Sequence, residues 1–202
     1  MTLTAFALNC TLKPSPQSSS TELLMSQILA DLESNGVTTS SARLVDFEIT
    51  PGVETDMGDG DEWPGIRKQI LAADIFVVVT PTWVGQLTSV GQQILERLDA
   101  ELSETDDKGR PSLYDRVAVV GVVGNEDGAH HITAQLFQGL VDLGFTVSSQ
   151  ASTYWNGEAM HSVDYKDLSS TPDAVAAATK ALASNAAHLA ALLKQSPYPA
   201  SA

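Results

Sequence analysis

Apolar segments that suit buried strands alternate with helical patterns along the whole chain. The most apolar of them, residues 75–80, lies between two helical patterns, and residues 116–123 are followed directly by another. Parallel strands buried on both faces have this appearance, because the helices that connect them cover the sheet. The alternation therefore predicts an α/β fold built around a parallel sheet.

The pattern predicts five strands and five helices. The strands are expected at residues 3–8, 42–47, 75–80, 116–123 and 145–148. The helices are expected at residues 21–34 and 64–72, along Val90, Ile94, Leu98 and Leu102, and at residues 129–143 and 172–194. Five strands without an internal repeat favour the order 2-1-3-4-5 of a flavodoxin-like three-layer sandwich over a full dinucleotide-binding fold. We predict a single domain over residues 1–195 and a short tail at 196–202.

Charge and composition exclude several classes of partner. The chain has 25 acidic and 11 basic residues and a net charge of −14, which repels nucleic acid and anionic membranes. Its apolar segments are too short to cross a bilayer, and residues 1–4 lack the basic start of a signal peptide. The single cysteine, Cys10, permits no internal disulfide and fits a reducing compartment. We therefore predict a cytoplasmic protein without nucleic-acid partners or membrane insertion.

The loop after the first strand has the composition of an anion site. Four consecutive hydroxyl residues, 18–21, precede or begin the first helix, and Lys13 is the only cation nearby. Backbone N–H groups and the helix dipole attract anions at such a position. The alternative is simple helix capping, since Ser19 with Glu22 fits a capping box. Capping accounts for one serine and leaves Lys13 and the other hydroxyls to a phosphate.

Other phosphate sites are excluded by their missing signatures. The chain contains neither a nucleoside-triphosphate P-loop nor the glycine fingerprint of dinucleotide-binding folds. Cys10 ends the first strand, as in low-molecular-weight tyrosine phosphatases, but the sixth residue after it is Pro16 rather than arginine. No arginine therefore activates a thiolate there, and we expect Cys10 to be a packing residue.

Two further loops follow predicted strands. Residues 80–88 contain Thr82 and Trp83, and the tryptophan is suited equally to ligand stacking and to subunit packing. Residues 124–128 begin and end with glycine, which lets the backbone approach a flat ligand closely. His130 and His131 follow this loop but, as neighbours on a helix, point to different faces. We therefore predict no metal site.

These three loops together resemble the NADPH-dependent FMN reductase and flavodoxin-like family. Residues 11–13 with 18–21 are similar to its phosphate loop, residues 80–85 to its second flavin loop, and residues 124–130 (GNEDGAH) to a segment of many family oxidoreductases. The resemblance implies that the FMN phosphate is bound by Thr11, Lys13, Ser18, Ser19, Ser20 and Thr21. It implies ring contacts from Pro81, Thr82, Trp83, Val84 and Gly85. It implies pyrimidine-edge contacts from Gly124, Asn125, Glu126, Asp127, Gly128 and His130.

The implied function is an FMN-binding oxidoreductase that passes reducing equivalents from NADPH or NADH to a quinone, a flavin or a similar small acceptor. The flavin supplies the redox chemistry, so no catalytic side chain is expected. Trp83, an apolar side chain on a loop that should otherwise face water, predicts a homodimer or homotetramer, with Trp83 and the helix at residues 89–102 near an interface beside the flavin. The alternative is a non-enzymatic electron carrier that exchanges single electrons with protein partners. The phosphate loop departs from the family form, with Cys10-Thr11 in place of Gly-Ser, Lys13 in place of arginine, and extra residues at 14–17.

Overall fold

A computed structural model of the chain describes residues 2–158 and 160–199. The strands are β1 (Leu3–Asn9), β2 (Val37–Arg43), β3 (Ile75–Pro81), β4 (Val117–Gly124) and β5 (Thr146–Asn156). The α-helices are α1 (Ser20–Ser34), α2 (Trp63–Ala72), α3 (Ser89–Leu98), α4 (Ala129–Asp142) and α5 (Asp173–Gln195). All strand pairs are parallel, in the order β2-β1-β3-β4-β5. The predicted α/β class and flavodoxin-like strand order are confirmed.

Helices cover both faces of the sheet, which gives the molecule three layers. Successive side chains of β3 point to opposite faces. Ile75 and Val77 pack with residues of α1 and α5, whereas Phe76 and Val78 pack with residues of α2, α3 and α4. None of the helices within residues 2–158 and 160–199 is both long enough and apolar enough to span a bilayer.

The second strand lies earlier than predicted. It occupies Val37–Arg43, and residues 44–46 of the predicted segment 42–47 form a 3₁₀ turn in which Leu44 is buried. β2 is an edge strand that pairs only with β1, and Val37 is its single buried residue. Such a strand is held by backbone hydrogen bonds rather than by apolar side chains. The strand was therefore predicted too far along the chain, at the apolar residues that follow it and enter the core.

The end of β5 and the end of α3 also differ from the predictions. The other edge strand, β5, extends to Asn156 instead of ending at residue 148, and its middle is polar. The third helix ends at Leu98, and Leu102 lies in a 3₁₀ turn with 61% of its surface exposed. The division into one domain and a tail stays a prediction. Its residues 1, 159 and 200–202 lie outside the described part of the chain.

The strand order predicts where a ligand binds, at the carboxyl ends of the strands. β1 pairs with β2 on one side and with β3 on the other, so the direction of chain progression reverses next to β1. Open α/β sheets bind ligands beyond the carboxyl ends of the strands at such a reversal. The three loops singled out in the sequence all begin at this edge.

Candidate functional site

The loop from β1 to α1 is ordered by its own polar side chains. The Asn9 side-chain oxygen accepts from the Thr11 backbone N–H at 2.9 Å, and the Thr11 hydroxyl accepts from the Lys13 N–H at 3.3 Å. At the end of the loop the Ser19 hydroxyl caps α1 by accepting from the Glu22 N–H at 3.0 Å. The predicted cap is present, but the Glu22 side chain does not complete a capping box. It bonds to Asn9 and Arg43 instead.

Two residues hold the same loop from outside: Arg43, the last residue of β2, and Asp46, which lies just after that strand. Asp46 accepts from the Ser15 backbone N–H at 2.8 Å and also from the Ser15 hydroxyl. These hydrogen bonds, the side-chain one first, lower the pKa of Asp46. The Arg43 guanidinium donates to the backbone carbonyls of Lys13 and Gln17 in the same loop. Neither residue was predicted to belong to the site, because both lie within the predicted strand at residues 42–47 and not in one of the three loops.

The loop from β3 to α3 contains a tight two-residue turn. Trp83 and Gln86 exchange backbone hydrogen bonds of 3.2 and 2.9 Å, and Val84 and Gly85 between them have φ of 52° and 70°. Two central residues with positive φ are typical of type I′ turns, and a β-branched residue there is strained. The Glu126 carboxylate accepts from the Val84 N–H at 2.7 Å and so holds the turn. The turn leaves 53% of Trp83 and 85% of Val84 exposed.

The loop from β4 to α4 packs directly against that turn. A Cβ at Gly128 would lie 2.7 Å from the Gly85 Cα, and one at Gly124 would lie 2.8 Å from the Thr82 Cβ. Both distances are shorter than any normal contact, so the two loops approach this closely only with glycine at 124 and 128. The predicted close approach therefore takes place between loops, and it fixes their relative position.

A fourth segment, described over residues 155–158 and 160–166, completes the site. Tyr165 is buried, its hydroxyl donates to Gln27 at 2.7 Å, and its ring centroid lies 5.4 Å from that of Trp155. Asp164 accepts from the Asn125 amide at 3.2 Å. The Lys166 backbone N–H donates to the Ser20 hydroxyl at 3.3 Å. This segment therefore ties the third loop to the start of α1.

The four segments line an open cavity of about 150 Å³. Ten predicted site residues line it: Thr11, Lys13, Ser19, Ser20, Thr21, Pro81, Thr82, Trp83, Gly124 and Asn125. Five lining residues were not predicted: Leu12, Val123, Trp155, Asp164 and Tyr165. Trp155 lies near the end of β5, which the predicted strand at residues 145–148 did not reach, and Asp164 and Tyr165 lie at the start of a 3₁₀ turn farther along the chain.

Seven predicted site residues lie outside the cavity wall: Ser18, Val84, Gly85, Glu126, Asp127, Gly128 and His130. Five of them shape the loops. Val84 and Gly85 form the tight turn, and the Glu126 carboxylate holds it. The Asp127 side chain accepts from the Gly128 N–H at 2.7 Å. His130 bonds to the Tyr154 hydroxyl at 3.0 Å. Ser18 is exposed beside the capping serine.

Three features of the cavity suit an anionic, flat ligand. Lys13 lines it, is exposed and forms no ion pair with any described residue. The Thr82 hydroxyl is buried and has no hydrogen-bond partner within residues 2–158 and 160–199, so it is available to a ligand. The start of α1 adds backbone donors next to Ser20 and Thr21. This combination of a cation, a helix start and an available hydroxyl suits a flat ligand that carries a phosphate.

A cavity of about 310 Å³ at the opposite edge of the sheet is larger but less suited to a ligand. Its cationic side chains are all engaged. Arg110 pairs with Asp106 and Asp115, Arg116 donates to backbone carbonyls, and Lys194 pairs with Asp74. The smaller cavity has the free donors, so we assign the functional site to it.

Cys10 and the histidines belong to no metal-binding group in the described part of the chain. Cys10 is fully buried, and burial raises the pKa of its thiol, so the group stays protonated at neutral pH. Within residues 2–158 and 160–199 no three His, Cys, Asp or Glu side chains are grouped as metal ligands.

Comparison with known proteins gives one family over most of the chain. Residues 4–159 match the family described as NADPH-dependent FMN reductase. The 8-demethyl-8-aminoriboflavin-5′-phosphate synthase of Streptomyces davaonensis is 33% identical over 98% of this chain and 81% of its own length. The crystal structure of RosB with the bound intermediate 8-demethyl-8-formylriboflavin-5′-phosphate has a TM-score of 0.88 and 32% identity, over 97% of this chain and 82% of that one.

A third relative is similar over only part of its length. The divalent metal cation transporter MntH of Mycobacterium bovis is 36% identical over 82% of this chain. The chain spans 25% of that protein. The likeness therefore concerns one segment of a much longer chain.

Proposed function

We propose that this chain, which belongs to the NADPH-dependent FMN reductase family, passes reducing equivalents from NADPH or NADH through bound FMN to a small acceptor such as a quinone or another flavin. Membership makes it an FMN-dependent flavin oxidoreductase of flavodoxin-like fold. The nicotinamide donor, the acceptor and a cytoplasmic location are our proposals. The observation that carries the FMN assignment is a cavity with a helix start and with a lysine and a buried hydroxyl that have no partner among the described residues.

In this proposal each wall of the cavity has a separate task. Lys13, Ser20 and Thr21 hold the phosphate at the start of α1, where the dipole favours negative charge. Thr82 donates its free hydroxyl to the ring system, and Trp83 covers one side of it. FMN supplies hydride and electron transfer, and the protein supplies binding, orientation and electrostatics. No side chain of the cavity is required as an acid or a base.

Anaerobic stopped-flow reduction tests the nicotinamide proposal. The FMN-loaded protein is mixed with increasing NADPH or NADH, and the loss of flavin absorbance is followed. We expect fast reduction whose rate saturates with at least one nucleotide, because hydride transfer requires a bound nicotinamide. Free FMN at the same concentration is the control. A slow rate that rises linearly with both nucleotides would leave the alternative of an electron carrier.

A second candidate function is favoured by similarity over nearly the full chain. The relative from S. davaonensis is named for the synthesis of a modified riboflavin phosphate, and RosB is bound to such a compound. If this chain acts likewise, a riboflavin phosphate is its substrate rather than its resident cofactor. Mass spectrometry of the flavin recovered after aerobic incubation separates the two. An unchanged FMN mass supports the oxidoreductase, and a changed mass supports the modifying enzyme.

A further inference from the structure

We propose that Arg43, at the carboxyl end of β2, is the positioning residue of the phosphate loop and sets the preference for a phosphorylated flavin over an unphosphorylated one. This inference rests on the proposed FMN-binding function. Arg43 does not line the cavity, and its side chain is only 9% exposed. Its action on a ligand is therefore indirect, through the loop that it holds.

The Arg43 guanidinium spans both sides of the loop. One terminal nitrogen, Nη1, donates to the backbone carbonyls of Lys13 at 3.1 Å and Gln17 at 2.8 Å. Between these carbonyls the chain forms a turn closed by the Gln17 N–H and the Pro14 carbonyl at 3.0 Å. Arg43 therefore fixes the two ends of this turn relative to each other.

The second terminal nitrogen connects the loop to the cavity wall. Nη2 donates to the Glu22 carboxylate at 3.1 Å, and the same carboxylate accepts from the Asn9 amide. Asn9 in turn accepts from the Thr11 N–H at 2.9 Å, and Thr11 lines the cavity. A continuous hydrogen-bond network thus runs from the edge strand to a residue that contacts the ligand space.

The charges separate the role of Arg43 from that of Lys13. Glu22 neutralises Arg43 at close range, so little of the guanidinium charge acts on an anion in the cavity. Lys13 has no such partner among the described residues. Lys13 therefore supplies charge, whereas Arg43 supplies geometry. A planar guanidinium serves several acceptors in different directions, which a lysine ammonium cannot reproduce.

Arg116 offers a matched control at the opposite edge of the sheet. It is also a half-buried arginine that fixes a connection, since it donates to the carbonyls of Leu71, Ser112 and Tyr114. Arg116→Met removes a comparable set of hydrogen bonds far from the phosphate loop. A general loss of structural support affects both variants, but only Arg43 acts on the flavin phosphate.

Binding of FMN and riboflavin by the full chain, measured by flavin fluorescence, tests the proposal. We expect Arg43→Met to weaken FMN binding by about ten- to a hundredfold and to change riboflavin binding by less than about threefold. Arg43→Lys should lose most of the FMN affinity that Arg43→Met loses, because an ammonium does not hold the two loop carbonyls and Glu22 together. Arg116→Met should leave the affinity ratio of the two flavins unchanged. An Arg43→Met ratio equal to that of wild type, or an equal loss for both flavins, would overturn the proposal.

Hydrogen exchange on the ligand-free chain gives an independent measurement. The backbone amides of Ser15 and Gln17 are hydrogen-bonded, and their exchange should accelerate in Arg43→Met and in Arg43→Lys but not in Arg116→Met. Unchanged exchange in the Arg43 variants contradicts the positioning role even where flavin binding is not measured. Failure of wild type to bind FMN would instead contradict the proposed function, and the exchange result would still decide the role of Arg43.

Discussion

Lys13 and Thr82 contribute different chemistry to the cavity. Lys13 is exposed and without an ion-pair partner in the described residues, so it keeps its full charge for a ligand. Thr82 is 4% exposed, and its hydroxyl lacks a partner within that same part of the chain. An unpartnered buried hydroxyl destabilises the empty protein and gains a bond when a ligand supplies an acceptor or a donor. Binding should therefore stabilise the folded protein.

Replacing Lys13 by alanine should weaken FMN binding by about tenfold or more, because a charge-assisted contact with the phosphate is lost. Riboflavin binding should change little. Titration of both flavins by fluorescence measures the effect. Lys108→Ala is the control, since it removes an equivalent exposed charge from a distant connection. An equal FMN loss in both variants would show that net charge, rather than a contact at Lys13, is responsible.

At the residue scale, several site residues followed from the sequence because their chemistry is local. A helix cap at Ser19 is determined by residues three positions apart, and the predicted bond is present. Arg43 and Tyr165 were not predictable in this way. Each acts on residues more than 20 positions away, and nothing near them in the sequence indicates a partner.

Residues 50–62, in the connection between β2 and α2, are held by one buried ion pair. Asp61 and Arg97 have fully buried side chains that meet at 2.7 Å. Asp61 also accepts from the N–H groups of Thr50, Met57 and Trp63. Burial alone raises the pKa of Asp61, but the Arg97 and backbone hydrogen bonds outweigh it and lower the pKa from 3.8 to about 2. This acidic connection is thus anchored close to the start of α2.

Asp61→Asn should lower the free energy of unfolding at pH 7 by about 3–5 kcal/mol, because Arg97 is left buried without a counter-charge. In wild type the carboxylate stabilises the folded state fully above pH 3.8, and this contribution is lost as the pH falls toward about 2. The variant should lack that dependence. Urea unfolding between pH 7 and pH 2 measures both effects.

Asp59→Asn is the matched control for this prediction, because Asp59 is exposed in the same loop. Its unfolding free energy should stay close to that of wild type. An equal loss in the two variants would contradict the special role of the buried pair.

At the element scale, the sequence predicted the strands whose side chains enter the core. β3 and β4 are almost wholly buried, and their predicted bounds differ from the observed ones by one residue at each end at most. The edge strands β2 and β5 were misplaced or shortened, since backbone pairing leaves no apolar signature in a polar edge strand. The shortened β5 also hid Trp155, and with it the fourth wall of the site.

The whole molecule combines a strongly negative charge with a small, open site. The cavity of about 150 Å³ is smaller than the roughly 300–1,000 Å³ typical of ligand pockets. Trp83 and Val84 at its rim expose apolar surface. A second copy of the chain that covers this rim would explain both observations, and a homodimer or homotetramer is the assembly that we propose.

Light scattering should therefore give a mass of at least twice the 21.4 kDa of one chain. Trp83→Ser should shift the distribution toward the single chain, because it removes apolar contact area at the rim. Leu192→Ser is the control, since it removes an exposed apolar side chain of α5 that does not line the site. A mass of one chain at micromolar concentration, with and without FMN, would contradict the assembly.

The central claim is that the loop between β1 and α1 binds the phosphate of FMN. Its most direct test is a fluorescence titration of the purified chain with FMN, riboflavin and FAD in phosphate-free buffer. We expect FMN to bind at least about tenfold more tightly than riboflavin, because Lys13, Ser20, Thr21 and the start of α1 contact only the phosphorylated ligand. FAD should bind more weakly than FMN, since no dinucleotide fingerprint is present. Equal affinity for FMN and riboflavin would contradict the account.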